Sequence, residues 1–274
     1  MKRCVVALAA ALLTAYLGVA TALGSTERET LWKQGVEALA RGAHDEAIDQ
    51  FELLADRGHA HPDVSFNRAA AYVARARSAA ARPGDLGRAA AALVETLHHD
   101  SSDEEAARAL ETVRREIARR RARRGAAAIA ERPALGRAVL GLFPENGWAL
   151  AAALGSLLST VGLALGLFAS HRRPRLTGAT LTGAGTLLLL VGGSAAVGAR
   201  QLRLTSSEGV VVVPEARLLD EQGRPLPPRG QEPNEIPEGA SVFVRQRGGQ
   251  YWQVEWGTVD GWVAAGQVRL AERR

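Results

Sequence analysis

Cysteine is almost absent from this chain: of 274 residues only Cys4 carries a thiol, and aromatic residues make up 5%. A single thiol forms no disulfide within the chain and cannot build a cysteine zinc site. The usual catalytic signatures are missing too. No HExxH pattern supplies paired histidines, no GxSxG places a serine nucleophile, and no glycine-rich loop ends in Lys-Ser/Thr to cradle a phosphate. These absences argue against an enzyme, and no cofactor or metal is implied.

A basic folded surface is also lacking, although the net charge is +5. Residues 25–145 hold 19 basic and 19 acidic side chains, and residues 205–274 hold 8 and 10. The excess sits on Lys2, Arg3, Arg172, Arg173, Arg175, Arg200 and Arg203, all bordering apolar runs. Phosphate backbones are recognised by surplus positive charge on a folded domain, so nucleic acid is not the expected partner.

Three long apolar runs are present. Lys2 and Arg3 precede an apolar core over 5–20, and Ala20-Thr21-Ala22 offers a small-x-small exit. Residues 1–24 therefore read as a secretory signal or, uncleaved, as an anchor. GWALAAALGSLLSTVGLALGLFAS (147–170) and LTGATLTGAGTLLLLVGGSAAVGA (176–199) each give 24 uncharged residues, enough to cross a hydrocarbon core of about 30 Å. Between them HRRPR (171–175) forms a basic turn, which the positive-inside rule places in the cytoplasm. Both flanking soluble parts are then expected outside the cytoplasmic membrane. Trp148 suits the outer interface. Gly155-x-x-x-Ser159 and Gly162-x-x-x-Gly166 put small residues one turn apart for close helix packing, within the hairpin or, as the weaker alternative, between two copies.

Residues 25–130 read as alanine-rich amphipathic helices. Leu31, Gln34, Gly35, Ala38 and Leu39 share one face; after Arg41-Gly42, Ala47, Ile48, Phe51 and Leu54 line the next. His44, Asp45, Glu46 and Asp49 look like a metal or acid/base cluster, but acids favour a helix N-terminus and no histidine stands one turn from His44. His59-Ala60-His61 falls in a loop beside Pro62, and His98-His99 ends a helix. Ser102-Asp103-Glu104-Glu105 reads as a capping box for a third helix striped by Ala106, Leu110, Val113 and Ile117. The arginines at 114, 115, 119, 120, 121, 123 and 124 form a solvated helix extension or touch anionic lipid heads. Residues 131–146 form an apolar interfacial lead-in, containing ALGRAVLGLF.

From residue 205 the periodicity becomes that of strands. GVVVVP, then SVFVRQR and QYWQVEW about a Gly248-Gly249 turn, then GWVA and VRL, outline a small antiparallel set. Trp252, Val254 and Trp256 alternate to one face and Tyr251, Gln253 and Glu255 to the other. PLPP, within 222–233, interrupts it.

Gly35, Ala38, Gly42, Ala47 and Phe51, with DEAI opening the second helix, resemble the tetratricopeptide repeat; Phe66, Asn67, Ala69 and Tyr72, then Gly84, Asp85, Ala89 and Leu93, repeat the pattern around an insertion over 75–83. Such repeats grip peptides in a groove lined by first helices, which the resemblance places at Trp32, Lys33, Val36, Phe66, Asn67 and Ala70, with Leu39 and Val73 beside them. Val210 to Val213, Ala216 to Leu218, Pro237-Glu238-Gly239, Trp252 and Gly261-Trp262-Val263 resemble a bacterial SH3-like barrel, with Tyr251, Trp256 and Trp262 as surface candidates. The expected fold is thus a multidomain membrane protein: all-α tetratricopeptide-type repeats, two transmembrane helices and a small all-β SH3-like barrel. The order of parts, with FPENGW before the hairpin, is similar to that of the BatE group of Bat (aerotolerance-type) membrane proteins. That resemblance implies a non-enzymatic scaffold of the bacterial inner membrane. Its soluble domains would lie in the periplasm, and its partners would be von Willebrand-type Bat proteins and a MoxR-type ATPase. A second expectation is an envelope sensor binding peptidoglycan through the SH3-like domain.

Overall fold

The computed structural model describes residues 26–59, 61–125, 135–140, 142–143, 145–168, 171–205, 207–227 and 234–271. The leader expected over 1–24, and the last part of PLPP, lie outside the described residues. Among the described residues the chain is mostly helical, with eight helices and a small antiparallel β region.

The helical body comprises α1 (26–40), α2 (His44–Asp56), α3 (Pro62–Ala76), α4 (Asp85–His99) and α5 (Glu104–Arg123). Gly42, at φ +76°, ends α1 in the left-handed conformation that glycine adopts without strain, and Ala43 N–H returns to the Ala38 carbonyl at 2.9 Å. Gly35 lets α1 and α2 approach closely: a methyl group there would lie 2.8 Å from Phe51 Cε1. Pro62 opens α3, where its missing N–H is no loss, behind an N-cap in which His61 Nδ1 accepts from Asp63 N–H at 3.3 Å. The cap of α5 is Asp103, not the expected Ser102. Its carboxylate accepts from Glu105 and Ala106 N–H, both at 2.9 Å, while Ser102 bonds the Asp100 carboxylate instead. A carboxylate holds two amides and favours the positive end of the helix dipole, so the aspartate takes the position. Phe51, Leu54, Leu86, Leu93 and Val113 are buried in one core shared by successive helices.

Among the described residues two helices are long and apolar enough to cross a membrane: 23 residues from Asn146 to Phe168 and 30 from Arg173 to Leu202. Only 11% and 17% of their most apolar stretches are covered by the rest of the protein, whereas a core helix of a soluble protein would be mostly covered. They lie within α7 (Glu145–Phe168) and α8 (Arg172–Thr205), which pack along each other. The expected small residues make that contact. A methyl group on Gly155, Gly162, Gly178 or Gly185 would come within 2.5–2.6 Å of a backbone nitrogen of the opposite helix. Ser159 and Thr186 hydroxyls bond across the seam at 2.8 Å. Most of the basic stretch expected as a turn is helical: α8 begins at Arg172 and runs past the expected end at Ala199. Before α7, α6 (Leu135–Leu140) lies beside α8, Gly198 accommodating Leu140. Trp148 is buried there; its Nε1–H donates to the Leu140 carbonyl at 3.1 Å, and Phe143 stacks edge-on at 5.1 Å.

The β region follows α8 almost directly. Strands β1 (Ser207–Val211), β4 (Ser241–Arg247), β5 (Tyr251–Trp256), β6 (Val259–Ala264) and β7 (Val268–Leu270) form one sheet in the order β6-β5-β4-β1-β7. The neighbours are antiparallel throughout, with a bulge between Val244 and Gln246. β2 (Glu215–Arg217) and β3 (Glu235–Pro237) pair separately. Val211, Leu218, Ile236, Val242, Val254 and Val263 form this region's own core.

Candidate functional site

The β region is seated on the helical body, and the contact is made by the second helix of each pair and by α5. β1 and β7 pack on α4. Gly84 and Gly87 permit it: a methyl group on either would lie 2.1 Å or 2.7 Å from the carbonyl oxygens of Val212 and Val211. Gly87 N–H donates to Glu238 Oε1 at 2.8 Å, and Arg114 donates to the Ser241 hydroxyl at 2.9 Å. Three small apolar side chains of the β region, Val210, Val212 and Ala271, join the helical core.

Beside them runs a chain of charges, half-buried at Glu52 and Arg269 and buried at Arg68 and Glu95. Glu52 of α2 accepts from Arg269 of β7 through both oxygens, at 2.7 and 2.6 Å, and from the Tyr72 hydroxyl at 2.7 Å. Burial alone would favour the neutral acid of Glu52. The hydrogen bonds from Arg269 and the nearby charge of Arg68 outweigh it and hold the carboxyl below its usual range. Burial, with the Glu52 charge adding to it, pushes the Tyr72 phenol well above its usual value. Arg68, fully buried on α3, donates to Glu95 Oε2 at 2.5 Å, and Ser65 donates to Glu95 Oε1 at 3.0 Å. A second cluster clamps the loop before α4: Arg75 donates to Asp85 at 2.6 and 3.1 Å and to Asp45 at 2.6 Å. Asp45, one of the four polar residues at the start of α2, is thus an ion-pair partner of Arg75 and Arg82. Among the described residues no group of three or more His, Cys, Asp or Glu side chains is placed to hold a metal.

None of these clasps was foreseen, although one signal exists. Arg68 lies at the fourth position of the apolar stripe Val64–Arg68–Tyr72, where a charge must be buried with a partner.

The expected groove residues lie on α1 and α3 and take no part in the contacts that seat the β region. Trp32 is half-buried, edge-on to Phe51 at 5.7 Å. It lines an open cavity of about 630 Å³ together with Arg28, Glu29, Leu54, His59, His61 and Val64. Val36 is 38% exposed, and Phe66, Leu39 and Val73 pack against the core. Lys33 and Asn67 are each satisfied within their own helix. Lys33 pairs with Glu29 at 2.8 Å, and Asn67 Nδ2–H donates to the Asp63 carbonyl at 2.9 Å. Ala70 is half-buried. The cavity gathers Trp32 but not Lys33, Val36, Phe66, Asn67 or Ala70.

On the β region, Tyr251 and Trp262 share a face, since Tyr251 pairs with Ala264 and Gln253 with Trp262 across β5 and β6. Tyr251 is 40% exposed and Trp262 half-buried. Trp256 is corrected: it is 5% exposed and belongs to the core, on the opposite face of β5 with Val254. On the outer face Glu255 is buried beneath Arg245, which donates to it at 3.0 and 2.6 Å.

These features define a helical protein with two candidate membrane helices and a β region docked on its helical body. Comparison with family models, with curated proteins and with solved structures returns no match.

Proposed function

We propose that this protein is a membrane-held, non-enzymatic scaffold of the bacterial cell envelope, of the BatE type, gripping partner proteins with its helical body. The observation that carries the reading is the seam. The helical body and the β region stand on either side of the α7–α8 pair in sequence, yet they dock on each other, as two soluble parts on the same side of a membrane can. With HRRPR at the far end of the hairpin, the positive-inside rule puts that side in the periplasm. Alternating helix pairs and the Gly35–Phe51 packing support tetratricopeptide-type repeats, and the five-stranded order with a separate β2–β3 pair supports an SH3-like barrel. The β region covers α4, leaving the exposed Val36 and the cavity that Trp32 lines open to a partner. The partners by this reading are von Willebrand-type Bat proteins acting with a MoxR-type ATPase.

The test is crosslinking in cells from a photoreactive residue at Asn67. Capture of membrane proteins with von Willebrand-type domains is expected. The second reading, a peptidoglycan-binding sensor, is favoured by the shared aromatic face of Tyr251 and Trp262. Wall fragments captured from Tyr251, with nothing from Asn67, would overturn the scaffold in its favour.

A further inference from the structure

The seam has two features of a joint that opens. Each body keeps a core of its own, and among the described residues the β region lends three side chains, Val210, Val212 and Ala271, to the helical one. Interfaces between domains with separate cores resemble transient contacts more than a continuous interior. The rest of the adhesion combines close packing at Gly84, Gly87 and Gly239 with polar contacts: Arg269 to Glu52, Glu238 to Gly87 N–H, and Arg114 to Ser241.

The second feature is an unfilled valence beneath Glu52. Arg68 is fully buried, yet among the described residues its Nε and Nη1 have no hydrogen-bond partner. Two buried N–H-bearing atoms of a guanidinium without acceptors are a substantial cost, which native structures seldom leave unanswered. The nearest carboxylate oxygen is Glu52 Oε2, 3.8 Å from Arg68 Nη1. That oxygen is occupied by Arg269 at 2.6 Å. A displacement of about 1 Å would carry it from an ion-pair distance to a hydrogen bond with Arg68.

We propose that Glu52 is the catch of a reversible latch between the helical body and the β region. In the closed state Glu52 is held by Arg269. In the open state it closes on Arg68, whose Nη1 is already at ion-pair distance and gains a hydrogen bond. The exchange leaves Glu52 paired in both states, so opening does not leave a half-buried carboxylate without a partner. Arg269 moves outward with β7, where water solvates it. The two arrangements therefore lie closer in free energy than loss of a buried ion pair would otherwise allow. Because α8 runs into β1 across a single residue, opening would swing the helical body relative to the membrane hairpin and uncover the α4 face.

The experiment uses the full-length chain in lipid nanodiscs with Cys4→Ser, and spin labels at Asp49→Cys on α2 and Gln250→Cys before β5. Both positions are exposed. Pulsed electron–electron distance measurement is expected to show a short and a long population. Arg269→Ala should raise the long-to-short ratio about tenfold, the scale of a lost charge-assisted pair, and added salt should move the parent in the same direction. Glu52→Gln, which keeps the Tyr72 hydrogen bond but removes the charge that both states use, should shift the ratio much less than Arg269→Ala. If Arg269→Ala loses its helical circular dichroism, Arg269→Gln, which removes only the closed-state charge, decides the matter by the same ratio. A single short distance in the parent and in the folded variants, at low and high salt, would show a permanent joint and end the latch.

Discussion

Arg269 and Glu52 are 217 positions apart and meet through two hydrogen bonds, at 2.7 and 2.6 Å, with both candidate membrane helices lying between them in the chain. The pair joins the last strand to the second helix. In the closed state it makes the helical body and the β region one mechanical unit.

Acid should weaken this protein partly through Glu52. Its folded carboxyl is held below the ordinary range, so the stabilisation is present above the unfolded value of about 4.3 and is lost as pH falls through the folded one. Glu116, between Arg77 and Arg120, contributes with the same sign. Thermal melts from pH 7 to pH 3 should fall less steeply for Glu52→Gln than for the parent. Parallel curves would contradict the assigned cause.

Removing Arg68 should be costly because it strands Glu95, which is nearly buried. Arg68→Ala should destabilise by about 3–5 kcal/mol in denaturant unfolding. The double replacement Arg68→Met with Glu95→Met removes both charges and should recover much of the loss, giving a non-additive cycle. Additive losses would mean that the two side chains do not act as a pair.

Close packing makes some glycines irreplaceable. Gly84 combines φ +85° with a notional methyl group 2.1 Å from the Val212 carbonyl, so Gly84→Ala must displace the β region. Gly58, also left-handed but with open space around it, should suffer only the backbone strain, about 1 kcal/mol. Limited proteolysis between the two bodies should therefore accelerate for Gly84→Ala and not for Gly58→Ala.

The two aromatic classes of β5 separate in the same way. Trp256→Ala empties a core site and should cost about 3–5 kcal/mol, whereas Tyr251→Ala should leave the melting temperature nearly unchanged while weakening any ligand of that face. Equal destabilisation by both would contradict the assigned faces.

Local patterns carried much of this fold. The period of the apolar residues places the helices of the body, the alternation in QYWQVEW gives the faces of β5, and the small residues of 155–166 mark the hairpin contact. Gly35 and Phe51 are legible together because a helix pair leaves one small and one large residue at a fixed offset. The seam was not legible. Glu52 and Arg269 each look like solvated charges within their own element, and nothing local ties residues separated by a membrane hairpin. Lys33 and Asn67 misled for a related reason: a polar side chain on a helix face can be satisfied one turn away in its own helix, as both are. Ser102 misled because the aspartate beside it is the stronger cap.

The most direct test of the account is the sidedness of the two bodies. Single cysteines at Asp49, Gln250 and His171, each in a Cys4→Ser chain, would be exposed to a membrane-impermeant maleimide in intact spheroplasts. The account predicts labelling at 49 and 250, with 171 protected until the membrane is opened. Labelling of only one of 49 and 250 would place the bodies on opposite sides, which the Glu52–Arg269 pair does not allow.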